Sequence, residues 1–424
     1  MPEPEIVHHK LSVIIKPPQG ALEATDTLLV KNVQKKLECY IGKRFFITAA
    51  QQKERELPFK IIEEEAAATG ISKKYQIEQI NPEHEEITIQ WTGKIDKFEG
   101  YRVSVIRADL VELSGFCGWF PTIKPSSQME EFTYELEIKL PNNWPVVIAP
   151  GKKEMSRKSG HYRFDYLART IQDILICASP ELVKHSKGKI AYIMPDWSKK
   201  KVEHLLNDYC MVVEQCEQLF GEMLPDCGGT AIISPRKNGA EWGFERGNLW
   251  IVGENFAKYW LEKDKTVKGL TKSFAAHESI HAWFGVGVKF AEDWLAEAIT
   301  QYLEVIITSL IYHEKDLPQN YFNWYKERIL QAKKQEDRAI ANFSIIENTY
   351  VYWYCKGSWV FWDLEGTIGR KKILDFFASL FKKYARRKID YKIFKVEAET
   401  FFERDFSSFF DSWFLETGFE PKFR

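Results

Sequence analysis

His277, Glu278 and His281 stand in the order His-Glu-Ser-Ile-His, two imidazoles four residues apart with a carboxylate directly after the first. On an α-helix, residues spaced by four lie on one face about a turn apart, so both imidazoles can meet a single metal ion. Glu278 is rotated by about 100° from His277 and can reach a water on that ion without ligating it. This is the donor set of a zinc hydrolase, with Glu278 as general base. Three fixed letters also occur by chance, so the weight of the reading rests on what surrounds them.

The elements that must position these groups are legible nearby. Leu270, Phe274, His277, His281 and Phe284 recur at spacings of three and four, which predicts one helical face from Leu270 to Phe284, stopped by Gly285 and Gly287. Catalytic zinc takes three protein ligands and keeps a fourth position open. The run Leu295, Ile299, Tyr302, Ile306 and Leu310 predicts a second amphipathic helix that starts near Asp293. Glu297 falls in its first turns among Trp294, Leu295, Ala298 and Ile299, on a side expected to be buried, where a carboxylate needs a partner. Glu292, Asp293 and Glu304 compete for the role, but suit a helix start or a wet face better.

His277-Glu-Ser-Ile-His-Ala-Trp-Phe-Gly, followed by Trp294-Leu-Ala-Glu-Ala with Tyr302 five residues after the glutamate, resembles the aminopeptidase N family of gluzincins. Members carry HExxHxWFG and then WLNEG. The resemblance implies His277, His281 and Glu297 as ligands of one Zn2+ per chain and Glu278 as general base. The fifteen-residue spacer from Ala282 to Ala296 is shorter than the family's, while the Trp-Leu-x-Glu frame survives. Tyr354-Cys355-Lys356-Gly357 resembles the family's Tyr-x-Lys-Gly, whose tyrosine helps to stabilise the tetrahedral intermediate. A phenol donor beside the metal suits that role. The family also anchors a free amino terminus through Gly-x-Met-Glu-Asn. Gly239-Ala240-Glu241-Trp242-Gly243 is similar to that block without its Met and Asn, and Gly253-Glu254-Asn255 offers a second candidate. Of the two carboxylates, Glu241 is favoured as the substrate-binding residue.

The remaining chain is consistent with a two-part α+β enzyme. Segments such as Leu11–Ile15, Thr27–Val30, Leu37–Ile41, Tyr75–Ile80, Ile87–Trp91, Phe132–Leu140 and Ile190–Met194 are β-rich, several with strict alternation. They predict an N-terminal β-sandwich or open saddle over 1–194. From 195 to 424 helical patterns dominate: Val202–Phe220, the two motif helices, a helix through Val360 and Ile368, Ile373–Tyr384 and Phe401–Leu415. With strand-like Thr230–Ile233 and Leu249–Val252 among them, this half predicts a thermolysin-like catalytic domain with a small edge sheet. Nothing in the sequence corresponds to the helical-repeat domain of larger relatives.

Composition narrows the function. Hydrophobic residues make up 45% and charged residues 28%, and the net charge is −1. That balance points to neither a nucleic-acid nor a membrane partner. The seven cysteines include no CxxC pair, and the amino terminus lacks the basic and apolar regions of a signal peptide. No apolar run reads as a membrane span, and a cytoplasmic location is expected. Three functions follow in order: a zinc aminopeptidase acting on peptides, a zinc endopeptidase or oligopeptidase of the same fold, and a non-catalytic peptide-binding scaffold.

Overall fold

A computed structural model describes residues 2–67, 70–124, 131–141, 144–155, 160–262, 274–333, 338–342 and 349–421. The chain divides into two compact units. The first comprises Met1–Lys184, Tyr192–Asp196 and Ile233–Trp242; the second comprises His185–Ala191, Trp197–Ile232 and Gly243–Arg424.

The first unit is built from strands. Along Glu5–Lys16, Leu11, Val13 and Ile15 are buried and Lys10, Ser12 and Ile14 face out. Its neighbour Ala21–Lys31 buries Leu22, Ala24, Asp26, Leu28 and Val30. These strands pair antiparallel, and Glu5–Lys16 pairs in parallel with Phe132–Lys139 on its other side. They lie near the middle of an eight-stranded mixed sheet, which shares one hydrophobic core with a three-stranded and a four-stranded sheet. Inside that core Asp26 is not an exception to polarity rules, because its carboxylate meets His9 Nδ1 at 2.6 Å and both side chains are fully buried.

A second buried ion pair organises the segment that carries Glu241. Glu112, on the buried strand Val111–Leu113, accepts from Arg236 Nε at 3.0 Å and from Ser234 Oγ at 2.6 Å. The same guanidinium donates through Nη1 to the carbonyls of Ala240 and Trp242, at 3.1 and 2.8 Å. One planar fork thus ties the loop on both sides of Glu241 to the sheet.

The second unit is mostly helical. Helix α1 (Lys199–Phe220) is capped by Ser198, whose hydroxyl accepts from Lys201 N, and it buries Val202, Leu205, Leu206, Tyr209, Val212, Val213, Cys216 and Phe220. An antiparallel hairpin, Phe244–Arg246 with Leu249–Gly253, leads into α2 (Glu254–Glu262). Helix α3 is Phe274–Ile280, α4 Asp293–Tyr312, α5 Leu317–Lys333, α6 Gly357–Ile368 and α7 Arg370–Tyr384. A π-helical stretch, Tyr350–Lys356, leads directly into α6. Helix α4 lies at the centre, against α1, α3, α5 and α6. It is long and apolar enough to cross a bilayer, contrary to the sequence expectation, but 78% of the qualifying window is buried within the protein. A core helix surrounded by other helices needs that apolarity all round.

Two helix boundaries differ from the sequence pattern. The expected helix Leu270–Phe284 is observed over Phe274–Ile280, with Leu270 outside the described residues, and His281 opens a turn. The expected helix Phe401–Leu415 is two helices, α8 (Tyr391–Phe402) and α9 (Ser407–Phe414). The break falls at Glu403, which is left-handed with φ 51° and closes α8 through a bond to Glu399. The aromatic run Phe401–Phe410 continued the helical spacing across a turn, so periodicity alone could not see it.

Replacing Arg236 with Leu leaves the Glu112 carboxylate buried with a single hydroxyl partner. Loss of about 3–5 kcal/mol is expected, as when one member of a buried pair is removed, read from the urea midpoint with an unchanged slope. A loss under about 1 kcal/mol would show that the pair behaves as a surface one.

Candidate metal centre

Helix α3 presents His277 and Glu278, and the turn after it presents His281. The turn keeps helical pitch, with His281 N donating to His277 O at 3.4 Å and Phe284 N to Ile280 O at 3.0 Å. It then folds back at Gly285, whose φ of 135° excludes other residues and whose missing Cβ would lie 2.8 Å from His281 Nδ1. That fold-back brings the Phe284 carbonyl to His281 Nδ1 at 3.1 Å. A carbonyl only accepts, so His281 carries its proton on Nδ1 and turns the Nε2 lone pair inward.

His277 is oriented by a carboxylate in the same sense. Its Nδ1 lies 2.9 Å from Glu304 Oε2, and both side chains are buried. Glu297, one turn into α4, completes the group. His277 Nε2 to Glu297 Oε2 is 3.2 Å, His281 Nε2 to Glu297 Oε2 is 3.5 Å, and the two Nε2 atoms are 3.2 Å apart. Ligands at zinc distance in a tetrahedral arrangement stand about 3.3 Å from one another, so the three atoms already have the edge lengths of a zinc site. Among the described residues His277, His281 and Glu297 are the group placed to hold a metal ion.

The electrostatics fit a cation. Burial opposes protonation of His277, but the bonds to Glu297 and Glu304 outweigh it and raise its pKa well above the usual value. Burial pushes the Glu297 carboxyl up, yet the His281 and His277 imidazoles prevail and hold it well below the usual range. A metal held by His277, His281 and Glu297 would take the place of the proton on the Nε2 edge of His277, beside Glu297. Glu278 has its pKa raised by burial, against the pull of His277 and His281, and its Oε2 is buried with no hydrogen-bond partner among the described residues. A water held on the metal is the kind of donor this oxygen lacks.

Tyr354 stands on the π-helical stretch and covers His277 face to face, ring centroids 5.5 Å apart at 25°. Burial, with the nearby Glu297 and Glu278 charges, raises its pKa well above the usual phenol value. It therefore stays a proton donor at neutral pH. The glycine after Lys356 has a packing reason, since a Cβ on Gly357 would lie 2.7 Å from Ala298 Cβ on α4.

Residues 250–413 match the peptidase family M1 domain. No curated protein sequence matches the chain. Its fold is that of yeast LTA4 hydrolase in complex with bestatin, with TM-score 0.73 and 17% identity over 99% of this chain and 69% of that one. It is equally similar to an M1 zinc metallopeptidase from Deinococcus radiodurans, with TM-score 0.70 and 14% identity over 99% and 96%. The same bacterial enzyme bound to a Tyr-Ser-Ala substrate gives a TM-score of 0.72.

Within the matched residues the structure brings together five of the six residues singled out from sequence: His277, Glu278, His281, Glu297 and Tyr354. Glu241 lies outside the matched residues, in the first unit, on the loop held by Arg236. Its alternative, Glu254, opens α2 and is engaged by Trp197 Nε1 at 2.8 Å and Lys258 Nζ at 3.0 Å. Glu292 is also committed, accepting from Tyr391 N at 3.0 Å.

Glu304 corrects the sequence reading. It was assigned to a helix start or a wet face, but it is buried against His277 Nδ1 and accepts from Gln301 Nε2 at 2.6 Å. Thr300, also unassigned, donates through Oγ1 to Phe284 O at 3.2 Å and braces the His281 turn. The missed signal was the polar stripe Glu297, Thr300, Gln301 and Glu304, spaced i, i+3, i+4 and i+7 along an otherwise apolar helix.

Glu297→Ala should fold normally, because alanine is the best helix former, and should lose most of its zinc by elemental analysis, while Glu292→Ala and Asp293→Ala retain theirs. Zinc retained in Glu297→Ala would displace Glu297 as the third ligand. Glu304→Gln should bind zinc about 10–100-fold more weakly in a chelator competition, the usual cost of losing a ligand's outer partner.

Proposed function

We propose that this protein is a zinc aminopeptidase that removes amino-terminal residues from peptides. The carrying observation is the convergence of His277 Nε2, His281 Nε2 and a Glu297 oxygen at zinc-ligand spacing, with the buried Glu278 beside them. The M1 match and the neighbour solved with a Tyr-Ser-Ala substrate support a peptide as the molecule cleaved.

When bound, zinc supplies a Lewis acid that polarises the scissile carbonyl and makes water acidic enough to attack at neutral pH. Glu278 accepts the proton of the attacking water and returns it to the departing amine. Its burial suits this exchange, since a carboxyl with raised pKa gives the proton back more readily than an exposed one. Tyr354 donates its hydroxyl proton in a hydrogen bond to the oxyanion that develops from the carbonyl. Glu241 binds the α-ammonium of the substrate by a charge-assisted bond, and Arg236 keeps its loop in place. Seven cysteines without a disulfide suit the reducing cytoplasm.

Glu278→Gln should keep stoichiometric zinc and lose turnover by several orders of magnitude. Retained turnover would remove Glu278 from the mechanism, and protein purified without metal would favour a non-catalytic scaffold. A peptide with a free amino terminus should be cleaved far faster than its acetylated twin, and Glu241→Gln should abolish that preference mainly through KM. Equal rates on the two peptides would identify an endopeptidase instead.

A further inference from the structure

Tyr354 is carried by an unusual piece of backbone. Residues Tyr350–Lys356 are π-helical, a geometry that is rare and is concentrated at functional sites, where surrounding contacts maintain it. Two independent connections run from this stretch to the metal ligand His277. The first is a ladder of rings. Tyr350 stacks on Tyr354 and Tyr354 on His277, each with centroids 5.5 Å apart at 25°.

The second connection is a chain of hydrogen bonds through α5 and α4. The Tyr325 hydroxyl stands beside Tyr350, whose pKa it draws down against the effect of burial. Tyr325 accepts from Gln301 Nε2 at 2.8 Å, and Gln301 Nε2 also donates to Glu304 Oε2 at 2.6 Å. Glu304 in turn holds His277 Nδ1 at 2.9 Å. Tyr325 and Gln301 are buried. The rings and the hydrogen bonds both start from His277, and at their far ends Tyr350 and Tyr325 stand side by side. The buried links Glu304, Gln301 and Tyr325 have few alternative arrangements, because any break strands a polar group away from water.

We propose that Tyr325 and Gln301 are positioning residues, which lock the π-helical stretch to the ligand His277 and so set the height of the Tyr354 hydroxyl over the metal ligands. Neither side chain touches the reacting atoms. The inference rests on the zinc-peptidase reading, and adds that the oxyanion donor and the first ligand are mounted on one frame. It also explains why the polar stripe of α4 includes Gln301, which touches no ligand directly. The amide links the carboxylate behind the metal to the phenol behind Tyr354.

The test is a double-mutant cycle on the zinc-loaded enzyme, with zinc affinity measured separately. Tyr354→Phe is expected to lower kcat by about 10²–10³-fold, as removal of an oxyanion donor does. Tyr325→Phe keeps the ring and removes only the hydroxyl. It is expected to lower kcat by about 10-fold, less than the ~10²-fold of a 1 Å misplacement, with KM and zinc content unchanged. In the Tyr354→Phe background Tyr325→Phe should have no further effect, because the group it positions is gone. Tyr350→Phe, nearer the surface, should behave as Tyr325→Phe does and serves where that variant folds poorly. Gln301→Met should weaken zinc binding by about 10-fold in a chelator competition, a readout independent of turnover. Multiplicative losses in the double variant, or wild-type zinc affinity in Gln301→Met, would overturn the proposal. Wild-type kcat in Tyr354→Phe would instead overturn the role of Tyr354 itself, and with it any need for positioning.

Discussion

The helical unit is organised around one electrostatic constraint: three carboxylates and two imidazoles share an interior from which water is largely withdrawn. Glu278, Glu297 and Glu304 would not survive there as isolated charges, since desolvation of an unpaired carboxylate costs several kcal/mol. Each is accommodated differently. Glu297 and Glu304 are compensated by His277, on opposite edges of one ring. Glu278 keeps an oxygen without a protein partner among the described residues, and its pKa is raised by burial. The set is close to balanced once a divalent cation joins it, which is why the ligand spacing and the outer partners make sense together.

Helix α4 carries most of that arrangement. Its apolar faces pack against four other helices, and its single polar stripe supplies Glu297 to the metal site, Thr300 to the His281 turn, Gln301 to Tyr325 and Glu304 to His277. Four side chains on one rigid rod keep fixed distances from one another. Small residues then set the approach of the neighbours. Gly285 allows the turn to close over His281, and Gly357 allows α6 to meet Ala298. A side chain at either glycine would move a ligand or the tyrosine.

The strand-built unit meets a similar problem with different means. Two of its buried carboxylates, Asp26 and Glu112, are paired within the sheets, one with His9 and the other with Arg236. The second pair does more than neutralise charge, because the same guanidinium holds the loop on both sides of Glu241.

The strands, the helix α4 and the grouping of His277, His281 and Glu297 were legible in the sequence. Alternation and the three-to-four spacing are local consequences of backbone geometry, and the HExxH and Trp-Leu-x-Glu frames survive a shortened spacer. Tyr354 was legible through its Lys-Gly successor. What only the tertiary structure decided is how the polar side chains of α4 are used. Glu304 looks like a surface carboxylate until α3 is laid against it, and Gln301 has no meaning without Tyr325 and Tyr350, which lie far along the chain. The π-helical backing of Tyr354, the early end of α3 and the split between α8 and α9 belong to the same class. Their cause is contact between elements, and hydrophobic periodicity carries no record of which polar groups will be brought face to face once the apolar ones are buried.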